Sequence, residues 1–422
     1  MEKKQSLFII FLLISFTFSS WSQSKIPNIF TLGVWLQSPT RERNGKNNAE
    51  NYKSLGINTF IGLWEWPSEQ SMGTGYNLLA AEALKNSGLF AYAGNSQAAV
   101  DWIRNHPEYR FTLIGYMLGD EPDMFKVNGD PEMQPDNWKT RGMAIRLADQ
   151  DRGLFANFGK GFALDPWAGY NIEPGPSRED DLEKYILPLT SYSSDFYAIT
   201  DPYEVENQHG IWGYGRAIEN SKKYANGRFV YGFVECSAPW TDVQASNNPT
   251  IPRRMTADLL RSAVWIMVVH GAKGIIYFCH DFSNGGMIED AVFDEPGMTE
   301  AMSEVNKSIK NYENILLADT IDGISTETDN SVKITTLVKK FNGYVYIFAM
   351  GDGNTNYPEG NSVIAEISIN ERKNIMVDVL EENRTISMKA GKFSDLFNAY
   401  ELHIYRYYSG ESPLPPQGIR LK

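Results

Sequence analysis

The sequence predicts a (β/α)8 TIM barrel followed by a small all-β, sandwich-like domain. Three observations favour this fold class. Short apolar runs of β type alternate with helix-spaced stretches eight times over about 290 residues, close to the ~250 residues typical of such barrels. The first predicted strand lacks the G-x-G-x-x-G turn expected of the rival architecture, a doubly wound open sheet. From about residue 322 onwards, strand-like segments follow one another without helices.

The first residues have the pattern of a secretory signal peptide. A charged start at 1–4 precedes the apolar run Leu7–Phe18, and Ser20-Trp21-Ser22 offers small residues around a cleavage point. The run is shorter than the ~20 residues that span a bilayer, which disfavours an uncleaved anchor. We therefore expect a secreted or periplasmic protein with no membrane insertion after cleavage. The predicted organisation is a signal peptide at 1–22, a barrel at 23–320 and an all-β domain at 321–422.

Each predicted barrel unit begins with the apolar run that a buried parallel strand requires. In chain order these runs are Phe30–Leu36, Ile57–Trp64, Leu89–Ala93, Thr112–Leu118, Leu154–Phe158, Phe196–Thr200, Phe229–Val234 and Gly274–Phe278. The stretches between them repeat apolar residues at the spacing of one helix face. They predict helices at Ala49–Leu55, Asn77–Asn86, Ala98–Asn105, Asn137–Gln150, Asp180–Thr190, Ala217–Ala225, Met255–His270 and Glu300–Leu316.

The C-terminal part has the alternation of antiparallel strands broken by turns, such as Gly351-Asp352-Gly353-Asn354. This pattern predicts a sandwich packed beside the barrel. Its strands are expected at Val332–Leu337, Tyr344–Ala349, Val363–Ile369, Ile375–Val379 and Glu401–Tyr407.

Charge and composition exclude several classes of function. The 39 Lys and Arg residues against 52 Asp and Glu give a net charge of −13, which disfavours nucleic-acid binding. The 2 Cys cannot form a multi-cysteine metal framework, and the 5 His show no H-x-H or H-E-x-x-H spacing. We therefore expect no cofactor and no metal ion. Cys236 and Cys279 end neighbouring predicted strands, so a disulfide and a pair of buried thiols both remain open.

Two predicted strands each end in a carboxylate. Strand four continues into Gly119-Asp120-Glu121-Pro122, and strand seven ends at Glu235. The C-terminal ends of barrel strands meet at one mouth, where the active sites of such barrels lie. Two carboxyl groups that flank a substrate are the minimum equipment for glycoside hydrolysis. Because neighbouring carboxyls resist double ionisation, one of them is expected to keep its proton, and we assign that proton to Glu121.

These motifs resemble those of the large clan of retaining glycoside hydrolases built on (β/α)8 barrels. In that clan an acid/base Glu follows strand four, often as N-E-P, and a nucleophile Glu follows strand seven. The resemblance implies that Glu121 is the acid/base and Glu235 the nucleophile in cleaving O-glycosidic bonds of an oligo- or polysaccharide. Two departures leave the family unassigned. Asp120 stands where the clan usually has Asn, and strand two ends Leu63-Trp64-Glu65-Trp66 without the Arg often found there.

Two alternatives stay open. Adjacent Asp120 and Glu121 resemble the pair of substrate-assisted N-acetylhexosaminidases, in which the Asp orients the substrate's acetamido group as nucleophile and the Glu is the general acid. In that scheme Glu235 would bind substrate. The rival from another class is a non-catalytic carbohydrate-binding protein on a decayed barrel, which would predict a disrupted carboxylate pair.

Aromatic and polar residues near predicted strand ends complete a candidate sugar site. Sugar rings present apolar C–H faces that pack on indole rings. Tyr203 follows strand six, where it is expected to donate a hydrogen bond to the nucleophile, and Asp120, Asn157 and His280 are expected hydroxyl or substituent partners. The indoles at or just beyond strand ends are Trp35, Trp64, Trp66 and Trp240.

Overall fold

The computed structural model describes a defined set of residues: 27–63, 76–94, 97–124, 133–160, 163, 176–201, 210–237, 239, 254–282, 286–328, 332–352 and 362–410. The predicted signal peptide lies outside these ranges. Among the described helices, none is long and apolar enough to cross a membrane.

Eight parallel strands form a closed barrel. They are β1 (Thr31–Trp35), β2 (Thr59–Ile61), β3 (Phe90–Ala93), β4 (Leu113–Asp120), β5 (Gly153–Phe158), β6 (Ser191–Ser194), β7 (Phe229–Val230 and Gly232–Glu235) and β8 (Gly274–Phe278). Each strand pairs in parallel with the next, and β8 pairs with β1. The first piece of β7 pairs with β6 and the second with β8, so the ring closes through the single residue between them, Tyr231.

Within the described ranges, one α-helix follows each barrel strand. The helices are α1 (Asn48–Ser54), α2 (Tyr76–Ser87), α3 (Gln97–Asn105), α4 (Pro135–Ala148), α5 (Pro176–Ile186), α6 (Trp212–Lys223), α7 (Ala257–Val269) and α8 (Met298–Leu317). Sequence signals set two of their starts: Asn47 and Glu50 form a reciprocal capping box on α1, and Thr256 caps α7 through the backbone N–H of Leu259. The (β/α)8 prediction is therefore confirmed.

Side chains alternate between the two faces of the barrel wall, as in any strand. The inward set fills the interior as a packed core: Trp35, Ile61, Tyr92, Ile114, Met117, Phe155, Tyr197, Tyr231, Phe233, Ile276 and Phe278. The outward set, such as Val34 and Val234, joins the buried faces of the helices in a second, larger core. Because the interior is filled, a substrate can enter only at the mouth, where the C-terminal strand ends lie.

Two antiparallel sheets follow the barrel and confirm the sandwich-like prediction. Their strands are β9 (Ile324–Thr328), β10 (Ile334–Phe341), β11 (Tyr344–Gly351), β12 (Ser362–Ile369), β13 (Ile375–Leu380), β14 (Arg384–Met388), β15 (Lys392–Asn398) and β16 (Leu402–Tyr408). The order is β10-β11-β16-β13-β14 in one sheet and β9-β12-β15 in the other, with a shared core that includes Ile347, Ile367 and Tyr405. The opposite face of the larger sheet packs on α7 and α8, where Phe348 contacts Trp265 and Tyr312.

One predicted barrel strand is wrong. The sequence places strand six at Phe196–Thr200, whereas the structure has β6 at Ser191–Ser194 and irregular backbone from residue 195 to 201. Ser191 and Ser193 are buried and point into the barrel, so the strand lacks the apolar inward face by which such strands are recognised. Three C-terminal strands, β9, β14 and β15, were also not predicted.

The two cysteines are buried free thiols whose sulfur atoms lie 3.2 Å apart, directly after β7 and β8. Of the two states that the sequence left open, the structure has the thiol pair.

Candidate active site

A β-bulge at the end of β4 turns Asp120 into the mouth of the barrel. Met117 pairs with Phe155 and Gly119 with Ala156, so Leu118 is an extra residue in β4. Leu118 packs in the outer core, and a Cβ on Gly119 would lie 3.0 Å from the ring of Trp138 on α4, so both positions face the helices. Simple alternation from inward Met117 would aim the side chain of Asp120 outward. The bulge reverses this parity, as bulges beside active sites commonly do.

Glu121 has an unusual backbone conformation. Its φ is +41°, in the left-handed region that non-glycine residues rarely adopt, and its N–H donates to the Asn157 carbonyl oxygen at 2.8 Å. Leu36, on the opposite side of the mouth, has a φ of +43°. Such conformations cost about 1–3 kcal/mol each and cluster at functional sites. Here two of them line the same cavity.

Asn157 at the end of β5 holds two carboxylates. Its Nδ2 donates to Asp120 Oδ1 at 2.9 Å and to Asp195 Oδ1 at 2.5 Å, and its Oδ1 accepts from Ser193 Oγ at 2.6 Å. Both amide protons and the amide oxygen are thus engaged, which fixes the amide plane. Asn157 is fully buried. Asn157 was predicted to bind a sugar hydroxyl, but it is not among the described residues that line the cavity, and its amide binds carboxyl and hydroxyl groups of the protein instead.

Asp195, the residue directly after β6, is the most perturbed acid of the group. Burial is the main cause that raises its pKa well above the ordinary value, and the nearby charges of Glu121 and Asp120 and a hydrogen bond with Glu121 raise it further. Tyr197 OH donates to Asp195 Oδ2 at 3.1 Å. Burial and the neighbouring negative charges therefore favour the protonated form of Asp195.

Asp120 titrates near neutrality as well. The dense surroundings of the mouth raise its pKa to about 7, the amide of Asn157 opposes this, and the charge of Glu121 adds to it. The residue still has solvent contact on its cavity side. That contact with water screens the charge of Asp120.

These carboxyl groups line a cavity of about 410 Å³ at the mouth. This volume lies within the ~300–1,000 Å³ range of small-molecule sites. One wall is apolar and aromatic, and includes Trp35, Tyr197, Phe278 and Phe282. The remaining lining residues are Leu36, Asp120, Glu121, Met124, Lys160, Asp195, Asp201, His280 and Met287. An acidic side that faces an aromatic wall suits a ring with hydroxyl groups on its edge and C–H bonds on its face.

The structure does not place Glu235 in this cavity, contrary to the expectation that β7 delivers a second carboxylate to the mouth. Its side chain is fully buried and accepts hydrogen bonds from the backbone N–H groups of Ile199 and Thr200 at 3.1 and 3.2 Å. The hydroxyl groups of Thr200 and Tyr214 donate to it as well. Because both of its oxygens accept hydrogen bonds inside the protein and it is not among the described residues that line the cavity, this geometry does not support the predicted nucleophile role of Glu235.

The other predicted site residues divide into two groups. Trp35 and His280 both line the cavity although their surfaces are almost entirely covered. Burial lowers the pKa of His280 to about 4, so the ring is neutral at pH 7. The other four, Trp64, Trp66, Tyr203 and Trp240, lie outside the described residues.

Sequence reasoning missed four polar lining residues: Tyr197, Asp195, Lys160 and Asp201. The last two form an ion pair of 2.5 Å at the cavity edge. Asp195 comes directly after β6 and two positions after the inward-facing Ser193, so it continues the inward face of that strand. A correct prediction of β6 would therefore have placed Asp195 at the mouth. Within the described ranges, no three His, Cys, Asp or Glu side chains could together hold a metal ion.

Comparisons with known proteins support the fold. No protein-family model and no curated protein matches the chain. An α-amylase from Anoxybacillus matches with a TM-score of 0.50 at 10% identity, over 90% of this chain and 98% of that one. An α-amylase from Geobacillus thermoleovorans complexed with acarbose has a TM-score of 0.48 at 9% identity, over 89% and 98% of the two chains. The family 51 α-L-arabinofuranosidase AbfB from Bifidobacterium longum has 0.47 at 12% identity, over 91% and 97%. At such identities the likeness concerns the fold alone, and the Anoxybacillus match agrees with a barrel followed by a β domain.

Proposed function

We propose that the protein is a glycoside hydrolase that cleaves O-glycosidic bonds of an oligo- or polysaccharide with net retention of configuration. The observation that carries this proposal is the cluster of Asp120, Glu121 and Asp195 opposite an aromatic wall in one cavity. Clustered carboxyls of which one stays protonated are the equipment that this reaction needs. The barrel fold shared with the Anoxybacillus α-amylase agrees with the proposal.

In this mechanism Asp195 is the general acid and Glu121 the nucleophile. The Asp195 proton passes to the glycosidic oxygen while a Glu121 carboxylate oxygen bonds to the anomeric carbon and the leaving group departs. Water then attacks that carbon, giving its proton to Asp195 and releasing Glu121. Because burial and neighbouring charges raise the pKa of Asp195, we place on Asp195 the proton that the sequence analysis placed on Glu121. The closeness of the two groups argues against inversion, which needs a separation of ~6.5–9.5 Å; double displacement needs ~5–5.5 Å, so it requires the two carboxyl groups to separate when the sugar binds between them.

Asp120 supports a second candidate, substrate-assisted hydrolysis of N-acetylhexosaminides. Its carboxyl lies in the cavity lining beside Glu121, and Asn157 fixes its orientation. A carboxylate held in this way could accept the N–H of an acetamido group. In this case Glu121 or Asp195 would supply the proton, and only N-acetylated sugars would be cleaved.

The test is a panel of aryl glycosides that includes N-acetylated sugars, with product anomers followed by NMR. We expect Asp195→Asn and Glu121→Gln each to lower kcat by about 10²-fold or more, since general acid–base catalysis alone contributes ~10²–10⁴-fold. Asp258→Asn is the matched control, because that carboxylate is 97% exposed on α7. Sugar binding without turnover in the native protein would favour the binding-protein alternative. An inverted product would reject the double displacement.

We also propose that the chain is exported after removal of residues 1–22, as the charged start and apolar run suggest. Mass measurement of the protein recovered from the periplasm or medium of an expressing bacterium tests this. An intact Met1 in the mature protein would contradict it.

A further inference from the structure

Glu235 connects three elements through a buried network, here called the Glu235 network. It consists of Glu235 at the end of β7, Ile199 and Thr200 in the loop after β6, and Tyr214 on α6. The ring of Tyr214 also packs edge-on against Phe196 of the same loop, with centroids 5.6 Å apart. The carboxylate thus satisfies two backbone donors that would otherwise be buried without a partner.

The loop that this network holds carries half of the acidic side of the cavity. Asp195 and Tyr197 precede the two bonded N–H groups, and Asp201 follows them directly. The Tyr197 carbonyl oxygen accepts from the Asp201 N–H at 3.1 Å, so the loop closes on itself around the attachment point. A shift of this loop would move Asp195 relative to Glu121, which belongs to β4.

We infer that Glu235 is a positioning residue, which holds the β6–α6 loop so that Asp195 and Tyr197 face the substrate, and is not the nucleophile. The catalytic part of this inference rests on the proposed function. Its structural part rests on the four hydrogen bonds that the Glu235 carboxylate accepts. A displacement of about 1 Å in a catalytic group can cost ~10²-fold in rate, so such a residue is expected to matter strongly without touching substrate.

Two substitutions at Glu235 separate positioning from nucleophilic attack. Gln keeps an oxygen that can accept from the N–H groups of Ile199 and Thr200, so Glu235→Gln should keep kcat within about 10-fold. Glu235→Ala removes the acceptor and should lower kcat by about 10²-fold, with a smaller change in KM. Added azide restores turnover in nucleophile-deficient glycosidases by attacking the anomeric carbon, so it should not rescue Glu235→Ala. Loss of activity in Glu235→Gln comparable to that in Glu121→Gln, or azide rescue of Glu235→Ala, would overturn the inference.

Amide hydrogen exchange provides a readout that does not depend on turnover. Exchange at Ile199 and Thr200 should rise by about 10-fold or more in Glu235→Ala and stay unchanged in Glu121→Gln. If the Glu235→Ala variant does not fold, Tyr214→Phe can replace it, because this change removes one hydrogen-bond donor to Glu235 and keeps the ring against Phe196. The exchange rate at Ile199 and Thr200 should then rise by a smaller factor. Unchanged exchange in all folded variants would overturn the network itself. If exchange rises but no glycoside is cleaved by the native protein, the proposed function fails while the loop attachment stands.

Discussion

At the scale of single residues, buried carboxyls determine how the protein responds to pH. Asp123 lies two positions after Glu121 and is fully buried. Its Oδ1 accepts a hydrogen bond from the Gly159 N–H at 2.9 Å. Burial raises its pKa to about 7, backbone N–H donors oppose this, and the charges of Glu121 and Asp120 add to it. Among the described residues, no donor reaches its second oxygen. Ionising this group in the folded state is therefore costly.

Asp123→Asn should stabilise the protein at alkaline pH. A carboxyl whose folded pKa is raised contributes its full stability below the unfolded value, ~3.9, and loses it as pH rises through about 7. The Asn variant lacks this loss, so its advantage in unfolding free energy should be about 2–4 kcal/mol larger near pH ~8 than near pH ~4. Thermal unfolding at both pH values measures it, with Asp258→Asn as control. An equal advantage at both pH values would show that the pKa of Asp123 is the same in the folded and unfolded protein, and would contradict the prediction.

At the scale of elements, the barrel was predictable because most strands and helices follow their periodicities. Strand β6 was not, because its run Ser191-Tyr192-Ser193-Ser194 has one large apolar residue, whereas the loop after it, with Phe196, Ala198 and Ile199, is more apolar. That error hid Asp195. Glu121 could be placed at the mouth because it follows a long apolar strand. The orientation of Glu235 could not be predicted, because it depends on backbone donors from a distant loop.

The contact between β3 and β4 leaves no room for a side chain at Gly115. A Cβ there would lie 2.4 Å from the ring of Tyr92, which is fully buried, and 2.9 Å from the Gly153 carbonyl oxygen. Gly115→Ala should therefore destabilise the barrel by about 1–3 kcal/mol, the usual cost of overpacking. Gly286→Ala is the matched control, since nothing lies within 4 Å of its added Cβ. Denaturant unfolding compares the two, and equal midpoints would contradict this packing.

At the scale of the whole molecule, a partly buried ionic network joins the barrel to the β domain. His270, at the C-terminal end of α7, contacts Glu219 of α6 at 3.0 Å and Asp352 after β11 at 3.3 Å. Lys333, just before β10, contacts the same two carboxylates at 3.3 and 3.4 Å. A Cβ on Gly215 would lie 2.5 Å from the His270 ring, so glycine on α6 permits this approach. The network includes residues of the barrel and of the β domain, so its stability depends on the contact between these two parts.

The attachment of the β domain should therefore weaken as pH rises. Burial lowers the pKa of His270, but Asp352 and Glu219 raise it by more, so the net pKa lies above its ordinary value. Stability from a raised His pKa is fully present below the unfolded value, ~6.5, and is lost as pH rises through the folded value. His270→Gln should cost about 3 kcal/mol near pH ~5.5, as for breaking a buried ion pair, and less near pH ~9.

Phe348→Ala separates this electrostatic attachment from apolar packing at the same interface. Phe348 is fully buried between Trp265 and Tyr312, with ring centroids 6.0 and 5.6 Å away. Its removal should cost about 3–5 kcal/mol at either pH, because cavity formation involves no proton. Calorimetric unfolding of the full chain at both pH values compares the variants. If the cost of His270→Gln were as independent of pH as that of Phe348→Ala, the pKa of His270 would be the same in the folded and unfolded protein, and its contacts with Glu219 and Asp352 would not stabilise the attachment of the β domain as ion pairs.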